Sequence, residues 1–233
     1  MITATSIFDA FAVAKAVFDD VFRFDFRGRG FALVRFDDLI SSQRFRESMV
    51  SLHVELDRLV HERRGMHLRF HSLARFDQQT TTKFHLDGGP DESILMLGYE
   101  PTQVQSAVAL ADYTLAAHDL GITPQDFMDQ HNPMFSSGEK LLAKYICPLI
   151  EFDATRFQIV LINNSRLSWF PDCRHSLGVL HQATILNPDP NQSRIINSTM
   201  LAIIPTDAVP NVSDAEIRQF TTTEAVARKN YAN

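Results

Sequence analysis

Two cysteines in 233 residues are too few for a disulfide framework, and Cys147 and Cys173 stand too far apart to form a C-x-x-C metal site. No apolar run approaches the roughly 18 residues of a membrane-spanning helix. Basic charge is not in excess: 22 Lys and Arg face 28 Asp and Glu, for a net charge of −6 and a pI near 5.8. That balance gives no electrostatic ground for a nucleic-acid partner. The opening "MITATSIFDAFAVAKAVFDD" lacks a basic n-region and places acids early, unlike a secretory signal. A cytoplasmic protein with no membrane partner is expected. Internal repeats, low-complexity tracts and linkers are also missing, so residues 1–233 read as a single domain. What remains is ordinary globular material, 45% hydrophobic and 21% charged, long enough to bury a core.

The apolar pattern divides the chain. Ile7, Phe11, Ala14, Phe18 and Val21 form one helical stripe. "FRFDF" (22–26) alternates with period two, and "GFALVRF" (30–36) reads as a buried strand. Ser41 or Ser42 caps a second helix with the face Phe45, Met49, Leu52, Leu56 and Leu59. "MHLRFHSL" and "TTKFHLD" are strand candidates, and residues 91–150 read as a mainly helical insertion in which Thr123-Pro124 starts a helix. "RFQIVLINN", "LGVLHQATIL" and "RIINSTMLAII" are then β-rich runs parted by turn-forming segments. Ser213 and Glu216 make a capping-box pattern for a C-terminal helix over about 214–230. Helices first, then strands with a helical interruption, predict an α+β fold or jelly roll, its N-terminal helices packed on a sheet.

Chemistry concentrates at "TTKFHLDGG" (81–89). Nine histidines and 19 aspartates in 233 residues supply roughly 0.7 H-x-D triplets by chance, so His85-Leu86-Asp87 needs partners. On a strand, residues i and i+2 share a face, which aims His85 and Asp87 at one point before Gly88-Gly89-Pro90 ends the strand. His181 on "GVLHQATIL" supplies a third ligand. His175 competes for that role, lying six residues earlier, although "FPDCRHS" reads as a loop. Two histidines and one carboxylate, with positions left open, form the facial triad of non-haem Fe(II) oxygenases. His67 and His71 either line a substrate pocket or are core-edge histidines bonded to backbone. Arg194, thirteen residues after His181, opens the next strand, which in an antiparallel meander runs beside the histidine's own.

"FHLDGG" followed by "GVLHQATILNPDPNQSRIINSTML" resembles the H-x-D…H…R signature of the Fe(II)/2-oxoglutarate-dependent dioxygenases, especially phytanoyl-hydroxylase-like ones. The likeness also takes in the strand and capped helix of "GFALVRFDDLISSQRFRESMVSLHVEL". It implies a double-stranded β-helix, iron held by His85, Asp87 and His181, and 2-oxoglutarate gripped through its far carboxylate by Arg194. The family often has Ser or Thr two residues after the arginine. Here Ile196 stands there, and Ser198, one step further on the same strand face, becomes the expected second contact. The implied activity is oxidation by dioxygen, most often hydroxylation, of a small-molecule substrate. A cupin-type metal-binding protein or dioxygenase without 2-oxoglutarate, and a protein hydroxylase, are the alternatives. Neither substrate nor oligomeric state is legible.

Overall fold

The computed structural model describes residues 2–4, 8–37, 40–166 and 177–228. In chain order these form β1 (Ile2–Ala4), α1 (Ala10–Val21), β2 (Phe31–Phe36), α2 (Ser42–Arg64), β3 (His67–Asp77), β4 (Ser93–Tyr99) and β5 (Ser106–Ala111). There follow α3 (Tyr113–Leu120), α4 (Pro124–Gln130), α5 (Ser136–Leu142) with a short 3-10 turn (Ala143–Tyr145), and β6 (Ile146–Pro148). The chain then runs through β7 (Gln158–Asn163), β8 (Leu180–Ile185), β9 (Ile195–Ile204), α6 (Asp214–Thr222) and β10 (Ala227–Arg228). The result is a mixed α+β fold with two sheets. Among the described residues no helix is long and apolar enough to cross a membrane.

The larger sheet has seven strands in the order β1-β2-β7-β4-β9-β3-β10, and the smaller has three in the order β6-β5-β8. From β3 onward the chain passes back and forth between them. β3 and β4 are in the large sheet, β5 and β6 in the small, β7 in the large, β8 in the small and β9 in the large. The meander expected for β8 and β9 is therefore corrected: they lie in different sheets, β8 against β5 and β9 between β4 and β3. The turn-rich "NPDPNQS" carries the chain across the gap instead of folding it back alongside.

The large sheet is buried on both faces, which is why β4, "SILMLGY", is one unbroken apolar run. Ile94 and Met96 of β4, Ile159 and Leu161 of β7, and Leu201 and Ile203 of β9 meet the stripes of α1 and α2. Their alternates Leu95, Leu97, Val160, Ile162, Ile196 and Met200 face the small sheet. A bulge at His71 in β3 reverses the alternation, so Phe70 packs with the helices but Phe76 faces the small sheet. On α2 the five apolar positions of the expected face are all buried, and truncating any of them to alanine is expected to cost about 2–5 kcal/mol. Ser41 caps the helix by accepting from the Arg44 amide, and Gly65 ends it in the left-handed region at φ 66°. Gly98 lets α2 lie close on β4, since a Cβ there would sit 2.5 Å from the Met49 sulfur.

Four boundaries differ from expectation. "FRFDF" is a loop, because Arg23 is buried and makes a bidentate pair with Asp112, at 2.7 and 2.8 Å. The stretch 91–150 is helical only between Tyr113 and Leu142, with the 3-10 turn following; its first part is β4 and β5. An apolar run buried on both sides carries no periodicity to tell strand from helix. "TTKFHLD" forms a single bridge, His85 to His181, and no regular strand. The Oγ atoms of Thr81 and Thr82 accept from the Ile185 and Ala183 amides in place of backbone carbonyls. The C-terminal helix ends at Thr222. Arg46 donates to the Thr221 and Thr223 carbonyls at 2.9 Å and Arg75 to the Glu224 carbonyl at 3.1 Å, turning the chain to pair with β3.

One buried group on α2 sets an acid limit. His53 donates from Nε2 to the Leu68 carbonyl at 2.8 Å, and burial pushes its pKa down to about 4. In the unfolded chain it titrates near 6.5. Between those values the unfolded chain binds a proton that the folded one refuses, so stability falls as pH drops from about 6.5 to about 4 and levels off below. The loss is on the order of 3 kcal/mol. Urea unfolding across that window should show a His53→Gln protein with a slope about one proton shallower than wild type. An unchanged slope would assign the acid sensitivity elsewhere.

Candidate metal centre

His85, Asp87 and His181 come together: one ligand atom from each lies within 4.8 Å of the other two. His181 projects from β8, and its backbone exchanges both hydrogen bonds with His85, at 3.0 and 3.1 Å. That bridge sets the two imidazoles side by side, centroids 4.2 Å apart and ring planes tilted by 45°. Asp87 reaches the same point although its segment is not a regular strand, with Oδ1 3.4 Å from His85 Nε2. His85 Nδ1 donates to the Lys83 carbonyl at 2.7 Å, which fixes the ring and leaves Nε2 facing the cluster.

The electrostatics suit a cation. His181 is held down to about 4 by burial, with His85 adding to the effect and Asp87 opposing it, so the ring is neutral at pH 7. Its Nδ1 is buried with no partner. For His85, burial works against the charged form but is outweighed by Asp87, the Lys83 carbonyl and the His181 backbone, and its pKa lies above the ordinary value. A carboxylate beside two imidazoles, one of them held neutral by burial, is a donor set fit for a divalent transition metal.

Asn164, directly after β7, was not foreseen from sequence. Fully buried, its Oδ1 accepts from the Asp87 amide at 2.9 Å and its Nδ2 donates to the Asp87 carbonyl at 3.1 Å and to Ser93 Oγ at 3.2 Å. This two-way clamp does for Asp87 what a neighbouring strand would otherwise do. The only signal was the paired asparagines ending "RFQIVLINN", polar where a buried strand stops.

Behind the triad is a small cavity of about 40 Å³, lined by His85, Asp87, His181, Gln78, Tyr99 and Ile196 among others. That is room for about three waters. Arg194, just before β9, lies against its Tyr99 and Gln78 walls, 1% exposed, with Cζ 5.1 Å from the Tyr99 ring centre. Its Nε donates to Ser106 Oγ on β5 at 3.0 Å and Nη1 to the Gln78 carbonyl at 3.2 Å, spanning the gap between the sheets. Nη2 is buried without a partner. Burial lowers the guanidinium's pKa, but Arg remains charged at any working pH. Ser198 shares a strand face with Ile196, opposite Leu97 and Ala74, and it is Ile196 that lines the cavity.

A larger cavity of about 360 Å³ opens on the other side of His85, roofed by α4 and the loop after it. His67 pairs with Asp57, and His71 Nδ1 accepts from Asn211 Nδ2; neither lines either cavity. His175 lies outside the described residues.

No family model and no curated protein matches the chain. Among solved structures it is similar to a variant of the iron and alpha-ketoglutarate-dependent endoperoxidase NvfI, with a TM-score of 0.35 and 14% identity over 76% of this chain and 79% of that one. So distant a likeness carries no weight here; the functional reading comes from the site itself.

Proposed function

We propose that this protein is an Fe(II)- and 2-oxoglutarate-dependent dioxygenase that oxidises a small molecule. The observation that carries the reading is the buried Arg194 guanidinium, whose Nη2 has no partner and whose side-chain bonds go to no carboxylate, although Asp77 accepts from the Arg194 amide close by; it is set against the wall of a cavity that ends at a His-Asp-His cluster. A buried cation with no carboxylate in direct contact is costly, and a diacid co-substrate supplies one. The alternation of strands between two sheets supports a double-stranded β-helix, in which the His85 segment adds a fourth member beside β8.

His85, Asp87 and His181 would hold the metal, and Fe(II) bound there supplies the capacity to activate dioxygen. The protein's own part is orientation and exclusion of water. Asn164 fixes the Asp87 backbone, the Lys83 carbonyl fixes the tautomer of His85, and Tyr99, Phe76, Leu97 and Ile196 wall the inner cavity. At its present volume that cavity is smaller than a five-carbon diacid requires, so binding must displace side chains such as Gln78 or Ile196. The same narrowness favours, as the second reading, a cupin-type oxygenase that takes no 2-oxoglutarate.

One measurement separates them. Zinc and copper outcompete Fe(II) at such donors, so the protein is stripped, reloaded anaerobically with Fe(II), and titrated with 2-oxoglutarate by calorimetry. Saturable one-to-one binding, followed by succinate formation on admitting air, is the expected result. Iron binding without any 2-oxoglutarate binding would exclude the first reading and leave the second.

A further inference from the structure

The larger cavity has a chemistry of its own. Its walls include Leu86, Pro124, Met128 and Met134, with Tyr113 and the amides of Gln125 and Asn132 among them. Apart from His85, Arg166 is the only ionisable side chain of basic or acidic type on that lining, and no carboxylate side chain lines it among the described residues. The Arg166 guanidinium is exposed and, among the described residues, forms no ion pair; its side-chain bond to them is a long one, 3.4 Å from Nη2 to the Asp87 carbonyl. Other exposed arginines of the protein, such as Arg58 and Arg63, are paired with acids. Arg166 is also held at this cavity through its backbone, since the hydroxyl of Tyr113, on the same lining, donates to the Ser165 and Arg166 carbonyls.

We infer that this cavity takes a small organic acid, its carboxylate gripped by Arg166 and its apolar body packed against Leu86, Met128 and Met134. A single planar guanidinium matches a carboxylate through two parallel hydrogen bonds. A phosphate dianion would call for more than one cation, and an amine would be repelled. A volume of about 360 Å³ suits a molecule of modest size. Methionines give walls that adapt to an alkyl or aryl body without fixing its shape. Calling the acid the substrate rests on the proposed oxygenase reading, because His85 lines both cavities; its binding does not.

The test uses hexanoate as probe, with hexanamide and hexylammonium as neutral and cationic controls, followed by NMR of isotope-labelled methionine methyl groups. No metal or 2-oxoglutarate is added, so the outcome is independent of whether the oxygenase reading stands. Hexanoate should shift the Met128 and Met134 methyls saturably and bind about tenfold or more tightly than either control. Arg166→Gln should remove that preference while still binding hexanoate and hexanamide alike, and Arg166→Lys should restore part of it. Adding 2-oxoglutarate afterwards should not displace the probe. Equal binding of acid and amide to wild type, an unaltered preference in Arg166→Gln, shifts at other methionines only, or displacement by 2-oxoglutarate would each overturn the inference.

Discussion

A His181→Ala protein should lose tight Fe(II) binding and with it all metal-dependent turnover. Structural zinc sites bind with about 10–16 kcal/mol shared among four ligands. Losing one ligand of three therefore costs on the order of a hundredfold or more in affinity. His181 is the ligand to choose because burial keeps it neutral at pH 7, so it coordinates without first giving up a proton. Asn164→Leu provides the graded comparison. Asn164 touches no ligand atom, bonding instead to the Asp87 backbone and Ser93 Oγ, and outer-shell changes of that kind typically cost about 10–100-fold in metal affinity. Both proteins should keep their fold, since His181 packs at the site and not in the helix-facing core. Fe(II) titration with a competing chelator reads the order wild type, Asn164→Leu, His181→Ala. Wild-type affinity in His181→Ala would remove that residue from the centre and dissolve the triad.

Much of this site could be read from residues alone, and the exceptions have a common cause. The α2 face, the caps at Ser41, Thr123 and Ser213, and the three late strands were legible because each is a local pattern. His85, Asp87 and His181 were legible as residue types at a spacing that one chemistry requires. "FRFDF" misled because the partner that buries Arg23, Asp112, lies 89 residues away. "TTKFHLD" misled in the opposite sense: its alternation is that of a strand, but two of its bonds to β8 are accepted by threonine hydroxyls in place of backbone carbonyls, which breaks the regular ladder. The i, i+2 argument for His85 and Asp87 thus anticipated that the two side chains come together, by an incomplete route. A bridge at His85 and the Asn164 clamp on Asp87 set the geometry that a full strand was expected to set. Arg194 likewise reaches the site from the opposite sheet and not from beside β8, a relation no local spacing encodes.

That cross-sheet position gives Arg194 the second large effect, with two consequences of different sign. Arg194→Ala should weaken 2-oxoglutarate by roughly 10²–10³-fold, because removing one partner of a buried charged pair costs about 3–5 kcal/mol. Fe(II) should still bind, since no triad residue bonds to the guanidinium. Arg194→Lys should recover only part of the affinity, lacking the planar fork. The free protein should behave differently. It holds a buried guanidinium with an unpartnered Nη2, bonded to the Ser106 hydroxyl and the Gln78 carbonyl and set against Tyr99, with the Asp77 charge nearby but not bonded to it, an arrangement whose desolvation cost these neighbours only partly offset. Replacing buried charge with apolar bulk is often neutral or stabilising. Arg194→Met should therefore abolish co-substrate binding while leaving the ligand-free protein at least as stable as wild type in urea, to within about 1 kcal/mol. With Fe(II) already bound to both, wild type alone should gain further stability when 2-oxoglutarate is added, as any ligand that binds only the folded state requires. A marked loss of stability in ligand-free Arg194→Met would show that the arginine is there to join the two sheets through Ser106 and Gln78. Undiminished 2-oxoglutarate binding in that protein would show that another cation receives the diacid.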